Sequence, residues 1–561
     1  MARDPDEGDA FVFDLVDDDA ATAAAAAAGA SLEASEADGA ALREYELSTS
    51  DSLGRKRRAA AQIAAVLAIV LGTGIAVDGV RDHARIERMR DVRGGVVDVS
   101  TPLGETWAWR GAVGPGESAT GVAVLGDVLA FESDGRLVAL DPVTGEEAWT
   151  VPLREGADCG PTVPATWSDP ATDSLVCLQG SGADRTVVAV GPDGTASTRV
   201  LGTADTRRYG VPHTGPDGTV LRAWRVGPTS AIDLGDAECT GAGECTGTVE
   251  AGRDLVLRAE DAATGEERWT VTVPFRATDA TQCTRTFGGS WGSSENRLVL
   301  NGQLAPDTFG ARVTADLITL SGCGIQAAVT PGGVLLGAQL EPGTGGVAGL
   351  GAGRYAVMSF EGVPRASLHA TDGVVVGEIT GYPLAPQATD EARPRTLLAV
   401  DEPSRRLRAY EPDGTPRWDI TLQSGGQEFL AQVGDTAVVT TGAGSVRGLD
   451  LGTGEERWTW NGADPTSDDD VGYFGTATVR QAFTDGLSLL LLTEGETTRS
   501  RGLVALDLDS GAVLWNRPGG GAITTFDPTD GDLVEQGVVG GLVAVDGYLL
   551  EVTPRGVRGL G

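Results

Sequence analysis

One thirteen-residue pattern recurs along this chain, and it limits the possible folds more than any other feature. Leu137-Val138-Ala139-Leu140-Asp141 is followed by Thr144-Gly145-Glu146 and then by Trp149. The same order returns in Leu257–Trp269, in Leu407–Trp418 with one residue fewer, in Val446–Trp458 and in Leu503–Trp515. Weaker copies stand at Val187–Val190 with Asp193-Gly194, and at Leu368–Val376 with Asp372-Gly373. A pattern that recurs at blade-like spacing marks a repeat architecture.

Each part of the pattern has a physical task. The apolar run is a short strand. Asp bonds the backbone just ahead of it and starts a turn. Gly takes the positive φ that a Cβ resists. The next strand carries Trp, a broad flat surface suited to the seam between neighbouring sheets. A lone hairpin cannot bury both its faces, whereas sheets arranged in a ring bury them and leave few open edges.

The step from Trp418 to Trp458 is 40 residues, the length of one four-stranded blade. The step of 120 from Trp149 to Trp269 then holds three blades. The expectation is an all-β propeller of about eight blades, with seven as the fallback, in which Trp149, Trp269, Trp418, Trp458 and Trp515 dock one blade on the next. Gly104–Arg110 reads as a last strand with no blade before it, and Leu542–Leu560 as strands without a final partner. Pairing the two chain ends would close the ring. On this reading, removing residues 1–95 leaves a folded propeller, and removing residues 1–112 does not.

With its A-x-D-x-x-T-G-x-x-x-W consensus, residues 97–561 resemble the PQQ-like (quinoprotein alcohol dehydrogenase-like) repeat family of β-propellers. That family includes quinoprotein dehydrogenases. It also includes non-enzymatic propellers, such as the lipoprotein that assists outer-membrane barrel assembly. The resemblance therefore implies the fold and leaves the function open. The dehydrogenases carry adjacent cysteines over the cofactor, and no two cysteines are adjacent here. No cofactor is expected.

Ahead of the repeats lie three further segments. Residues 1–54 hold fourteen carboxylates against Arg3 and Arg43, and read as a disordered acidic cytoplasmic tail. Residues 55–80 comprise the basic flank Arg55-Lys56-Arg57-Arg58 and the uncharged run 59–77, long enough for a single transmembrane helix. Residues 81–96 read as a juxtamembrane linker with a short helix. Basic residues flank the apolar run on both sides, so charge does not orient it. The cysteines do: Cys159, Cys177, Cys239, Cys245, Cys283 and Cys323 all follow it. An even set on one side implies disulfides and an oxidising compartment, with the propeller outside the cell membrane. Sequential pairing closes the shortest loops, giving 159 with 177, 239 with 245 and 283 with 323.

Charge narrows the function classes. A net charge of −37 repels phosphates and argues against nucleic-acid binding. Lys56 is the sole lysine, so the propeller has no lysine for phosphate binding or a Schiff base. Gly288-Gly289-Ser290-Trp291-Gly292 matches a nucleophile motif, but leads into a strand pattern and not a helix. Asp468-Asp469-Asp470 lacks calcium-loop spacing. Gly343-Thr344-Gly345 reads as a loop, and His213 and His369 as surface residues. Ala64, Ala68 and Gly72 make a small-residue ladder in the apolar run. No catalytic, metal or cofactor residue is assigned. The expected function is non-enzymatic binding of an envelope protein or cell-wall ligand. The alternatives are a sensor signalling through a cytoplasmic partner and an oxidoreductase with an unrecognised site.

Overall fold

The computed structural model describes residues 83–114, 121–154, 156–161, 163–164, 171–180, 185–240, 245–283, 304–401, 405–422, 428–441, 445–462, 478–494, 501–517, 525–526, 533–534 and 541–561. The acidic tail, the apolar run with its small-residue ladder, Gly288–Gly292 and Asp468–Asp470 lie outside them. Among the described residues no helix is long and apolar enough to cross a membrane.

Among the described residues nine sheets of four or five strands, antiparallel except for one short parallel pairing in the seventh, follow one another along the chain, one blade more than the repeat spacing suggested. Their outermost strands are Glu147–Pro152 (blade 1), Ala196–Val200 (2), Glu267–Val273 (3), Leu335–Leu336 (4), Val375–Thr380 (5), Pro416–Thr421 (6), Glu456–Trp460 (7), Val513–Arg517 (8) and Glu105–Arg110 (9). The interval from Trp149 to Trp269 holds two blades, not three. The surplus length is an insertion in blade 3 between its strands Thr219–Val226 and Asp254–Asp261. Blade 4 was missed because it carries no Trp on its outer strand, whereas blade 5, which also lacks one, matches the weak copy at Leu368–Val376.

The core lies in the seams. Among the described residues, nine apolar clusters each join one blade to the next. Between blades 7 and 8, for example, Val438 and Trp458 pack against Leu489, Leu491 and Val504. Sheet faces that would otherwise meet water are thereby covered on both sides.

One hydrogen bond recurs at these seams. The indole Nε1 of Trp149 donates to Pro192 O of blade 2, at 2.7 Å. Trp269 donates to Pro331 O, Trp418 to Leu451 O and Trp458 to Leu508 O, at 2.8–2.9 Å. Trp107 of blade 9 does the same to Pro142 O of blade 1. The acceptor is each time the residue after the turn's Asp or its equivalent, a position fixed by the repeat. The indole then lies over the turn glycine: a Cβ on Gly511 would sit 2.5 Å from the ring of Trp458. The repeat's Gly thus serves its own turn and the Trp of the preceding blade.

All three expected disulfide pairs are present. Cys159 and Cys177 face each other across the two inner strands of blade 2. Cys239 and Cys245 do so across a hairpin of the blade 3 insertion. Cys283 is joined to Cys323, in the hairpin turn of blade 4, and both are fully buried with Val249.

The last strand of blade 9 comes from the other end of the chain. Glu105–Arg110 pairs antiparallel with Gly556–Leu560, with Trp107 opposite Gly559 and Trp109 opposite Val557. Gly104 and Gly561 exchange both backbone hydrogen bonds, at 2.9 and 3.0 Å. Because this blade is made of two chain ends, it has no turn to receive the indole of blade 8. Trp515 donates instead to Val99 O, at 2.8 Å.

Candidate functional site

The first of the four main strands of each blade lies toward the centre, with a short extra strand beside it in blades 1 and 7, and where first strands turn into second the ring has a mouth. There a cavity of about 670 Å³ is bounded by Val122 and Val124 of blade 1, Leu350 of blade 5 and Val543 of blade 9. Its rim is a set of tight turns: Gly126-Asp127, Ala352-Gly353 and Asp546-Gly547. Each of these is a two-residue hairpin loop. At Asp546-Gly547 both residues have positive φ, the conformation whose twist matches that of the strands it joins.

Carboxylates dominate the rim. Asp91, Asp127, Asp316 and Asp546 all line the cavity. Burial raises the Asp546 carboxyl above its ordinary pKa. Arg90 opposes that shift, while Asp127, Asp91 and Glu87 add to it. Arg354, also on the rim, is committed elsewhere: its Nη1 donates to Pro412 O of blade 6.

The chain's own N-terminal segment crosses this mouth. A helix over 83–90 packs onto the ring, with Met89 only 1% exposed. Arg85 Nη1 donates to Asp485 O at 2.7 Å. The backbone then turns at Val92–Gly95 and passes blades 7, 8 and 9. Thr389 N donates to Arg93 O at 3.0 Å, and Thr484 N to Gly94 O at 2.9 Å. Val96 N returns to Thr484 O, and Val97 N donates to Gly547 O, both at 2.8 Å. Residues 83–96 are therefore docked on the propeller and do not run free of it as a linker. Inner strand edges have unpaired backbone groups, and this segment satisfies several of them.

The residues singled out by sequence do not converge on this mouth. The five Trp lie round the ring at the outer strands, and the cysteines in blades 2, 3 and 4. The two histidines are not surface residues. His213 is 8% exposed, in the inner strand of blade 3, and His369 is 7% exposed. His369 Nε2 lies 2.9 Å from Ser367 Oγ, and its Nδ1 3.0 Å from Gly373 O, so the ring ties its own strand to the following turn. Gly343 lies in a loop, and Gly345 opens the inner strand of blade 5. Among the described residues no group of three His, Cys, Asp or Glu side chains is placed to hold a metal. Asp127, Asp316 and Asp546 were missed because they sit in first hairpins, where the sequence has no Trp to mark a repeat, and Asp91 because it precedes the repeats. Superposing Leu125-Gly126-Asp127-Val128 on Val545-Asp546-Gly547-Tyr548 would have found Asp127 and Asp546.

A family model described as outer membrane protein assembly factor BamB matches residues 372–539, from the outer hairpin of blade 5 to just before blade 9. The chain is a β-propeller of PQQ-like repeats. Among solved structures this PQQ-like propeller is similar to BamB from Moraxella catarrhalis, at 12% identity and a TM-score of 0.35, over 82% of this chain and 99% of that one. It is also similar to the computationally designed Ika8 protein, at 11% identity and a TM-score of 0.31, over 81% and 98%. A third is the dihydro-heme d1 dehydrogenase NirN in complex with DHE, at 13% identity and a TM-score of 0.32, over 77% and 79%. No curated protein sequence matches the chain.

Proposed function

We propose that this protein is a non-enzymatic binding module of the cell envelope, and that its propeller takes up an extended segment of a partner protein at the channel mouth. The observation that carries this reading is the path of residues 93–97, whose backbone groups bond to Thr389 beside blade 7, to Thr484 on the inner strand of blade 8 in a parallel bridge with Gly95, and to Gly547 in the first turn of blade 9. Strand addition of that kind needs an open edge and no particular side chain. The acidic turns favour a basic segment. Three disulfides support an oxidising compartment, and the apolar run 59–77 supplies a membrane anchor. The family matched over residues 372–539 is described as an assembly factor, which fits a scaffold role.

Photo-crosslinking in intact cells tests it. A photoreactive residue at Ala392, exposed beside the cavity, should trap a discrete envelope protein. The same residue at Thr150, exposed on the outer strand of blade 1, should not. Adducts from Thr150 alone, or from neither position, would sink the proposal.

A further inference from the structure

The seam between blades 2 and 3 departs from the others. Where the outer strands of blades 1, 3, 6, 7, 8 and 9 place Trp, blade 2 has Ser197, opposite Ala189. Arg199, two residues on and on the same face, takes over the docking bond: its Nε donates to Ala262 O at 3.1 Å. Its guanidinium lies over Gly265, where an indole lies in other blades.

Behind Arg199 the seam is charged. Arg222 and Arg258 stand opposite each other on neighbouring strands of blade 3, with Glu260 two residues along from Arg258. Glu260 receives all three arginines. Its Oε2 is 3.3 Å from Arg199, and its Oε1 is 3.3 Å from Arg258 Nε and 3.9 Å from Arg222 Nε. Arg222 is 0% exposed, and its Nη1 donates to Gly210 O at 2.9 Å. Its Nε and Nη2 donate to nothing, and neither does Arg258 Nε. Glu267, half exposed, holds only the outer Nη1 of Arg258. Asp205, on the short helix Thr203–Tyr209, acts on Arg222 from a distance. Val176, Leu178, Val187 and Val220 make the apolar part of the seam; buried Arg185 of blade 2 donates to Pro212 O of blade 3 beside His213, and the Arg258 guanidinium lies over the Tyr209 ring.

Arginine does not escape this by losing its proton. A buried guanidinium N–H without an acceptor is costly, and a buried charge without compensation more so. Two oxygens of one carboxylate cannot complete three guanidiniums. Water could accept from the idle N–H groups but would leave the charge uncompensated. The net charge of −37 does not forbid an anion here, because exposed carboxylates beyond about 8 Å are screened at physiological salt. We propose that the seam between blades 2 and 3 binds a small monovalent anion of the halide class, held by Arg222 and Arg258.

Two measurements on the full-length chain test this. In crystals soaked in bromide, an anomalous peak should lie within hydrogen-bonding distance of the Arg222 guanidinium. A water there and no bromide would overturn the proposal. In solution, the unfolding midpoint should rise by a few degrees, saturably, as chloride replaces gluconate at constant ionic strength, since a ligand that binds only the folded state stabilises it. Arg222→Met should abolish that response. A midpoint indifferent to chloride in the wild type, or equally responsive in R222M, would count against the site. The bromide experiment needs no variant, so a failure of R222M to fold leaves the proposal open to refutation.

Discussion

At the scale of single residues, the turn carboxylates show how much the repeat depends on a few hydrogen bonds. Asp450 receives Arg457 and the backbone N–H and hydroxyl of Thr453. Foremost the Arg457 bond, and with it the Thr453 bonds, hold its pKa at about 2 against the opposing effect of burial. A carboxyl lowered in the folded state stabilises it above its unfolded pKa of about 3.9, and that contribution is lost as pH falls toward 2. A carboxyl-carbon NMR titration should place Asp450 near 2 in the wild type and closer to the ordinary value in Arg457→Gln. An unchanged titration would show that Arg457 is not the cause. His213 gives a second pH effect, in a different window. Burial first, then Arg185 and Arg222, hold its imidazole at about 3. Its stabilising contribution is whole above the unfolded pKa of about 6.5 and declines as pH falls toward 3. By pH 5 the loss should be about 2 kcal/mol, read from urea unfolding, and His213→Gln should flatten the curve between pH 6.5 and 4.

At the scale of the element, the docking bond separates seams that resemble one another in sequence. Trp458 is 6% exposed, bonded to Leu508 O and stacked on Gly511. Trp458→Ala should destabilise the propeller by about 3–5 kcal/mol, the usual cost of emptying a large aromatic site. Blade 5 has Gly377 at the equivalent place, opposite Leu368, and restoring the repeat consensus there should fail. A Cβ at Gly377 would sit 1.9 Å from Asp413 O, because the neighbouring turn has moved into the space an indole would need. Gly377→Trp should therefore lower the midpoint of thermal unfolding. A rise would mean that blades 5 and 6 part easily enough to admit the ring. Five docking tryptophans could be read from the sequence because Trp, Gly and Asp recur at fixed offsets. Blade 4 could not. Its turn is Thr330-Pro331-Gly332-Gly333, and Thr330 Oγ1 accepts from Val334 N where other turns use an Asp carboxylate. Blade 3 escaped the spacing argument because its insertion stretches the interval that marks a blade. Arg199 and Arg354 escaped because an arginine that donates to the docking carbonyl looks, in sequence, like any other charge on a strand.

At the scale of the whole molecule, closure involves more of the N-terminal segment than the first strand. The sequence argues for Glu105–Arg110 as the clasp, and the pairing with Gly556–Leu560 agrees. It does not show that residues 83–99 are part of the same joint. Helix propensity and an interleaved charge pattern cannot say which surface a helix covers, and Met89 alone gives little amphipathic signal. With Met89 and Val96 both buried and Val99 receiving Trp515, the expected order of stability changes. A chain lacking residues 1–81 should melt with the full-length propeller, one lacking 1–95 several degrees lower, and one lacking 1–112 lowest or insoluble. Equal midpoints for the first two would mean that the segment merely rests on the ring. The channel mouth was the least legible feature, since it is built from first hairpins of distant blades and from a segment that the repeats do not include.

The joint between the chain ends also sets a timetable. Val99 and Trp515 are 416 residues apart, so the first strand is made long before its partner. At ~5–20 residues per second of synthesis, the first strand waits roughly 20–80 s for it. Throughout that interval the growing ring has an open sheet edge at each end, the kind of surface on which unfinished chains of different molecules join. Production of this protein should thus be limited by how well the nascent chain is kept apart from its copies, more than by the stability of the finished ring.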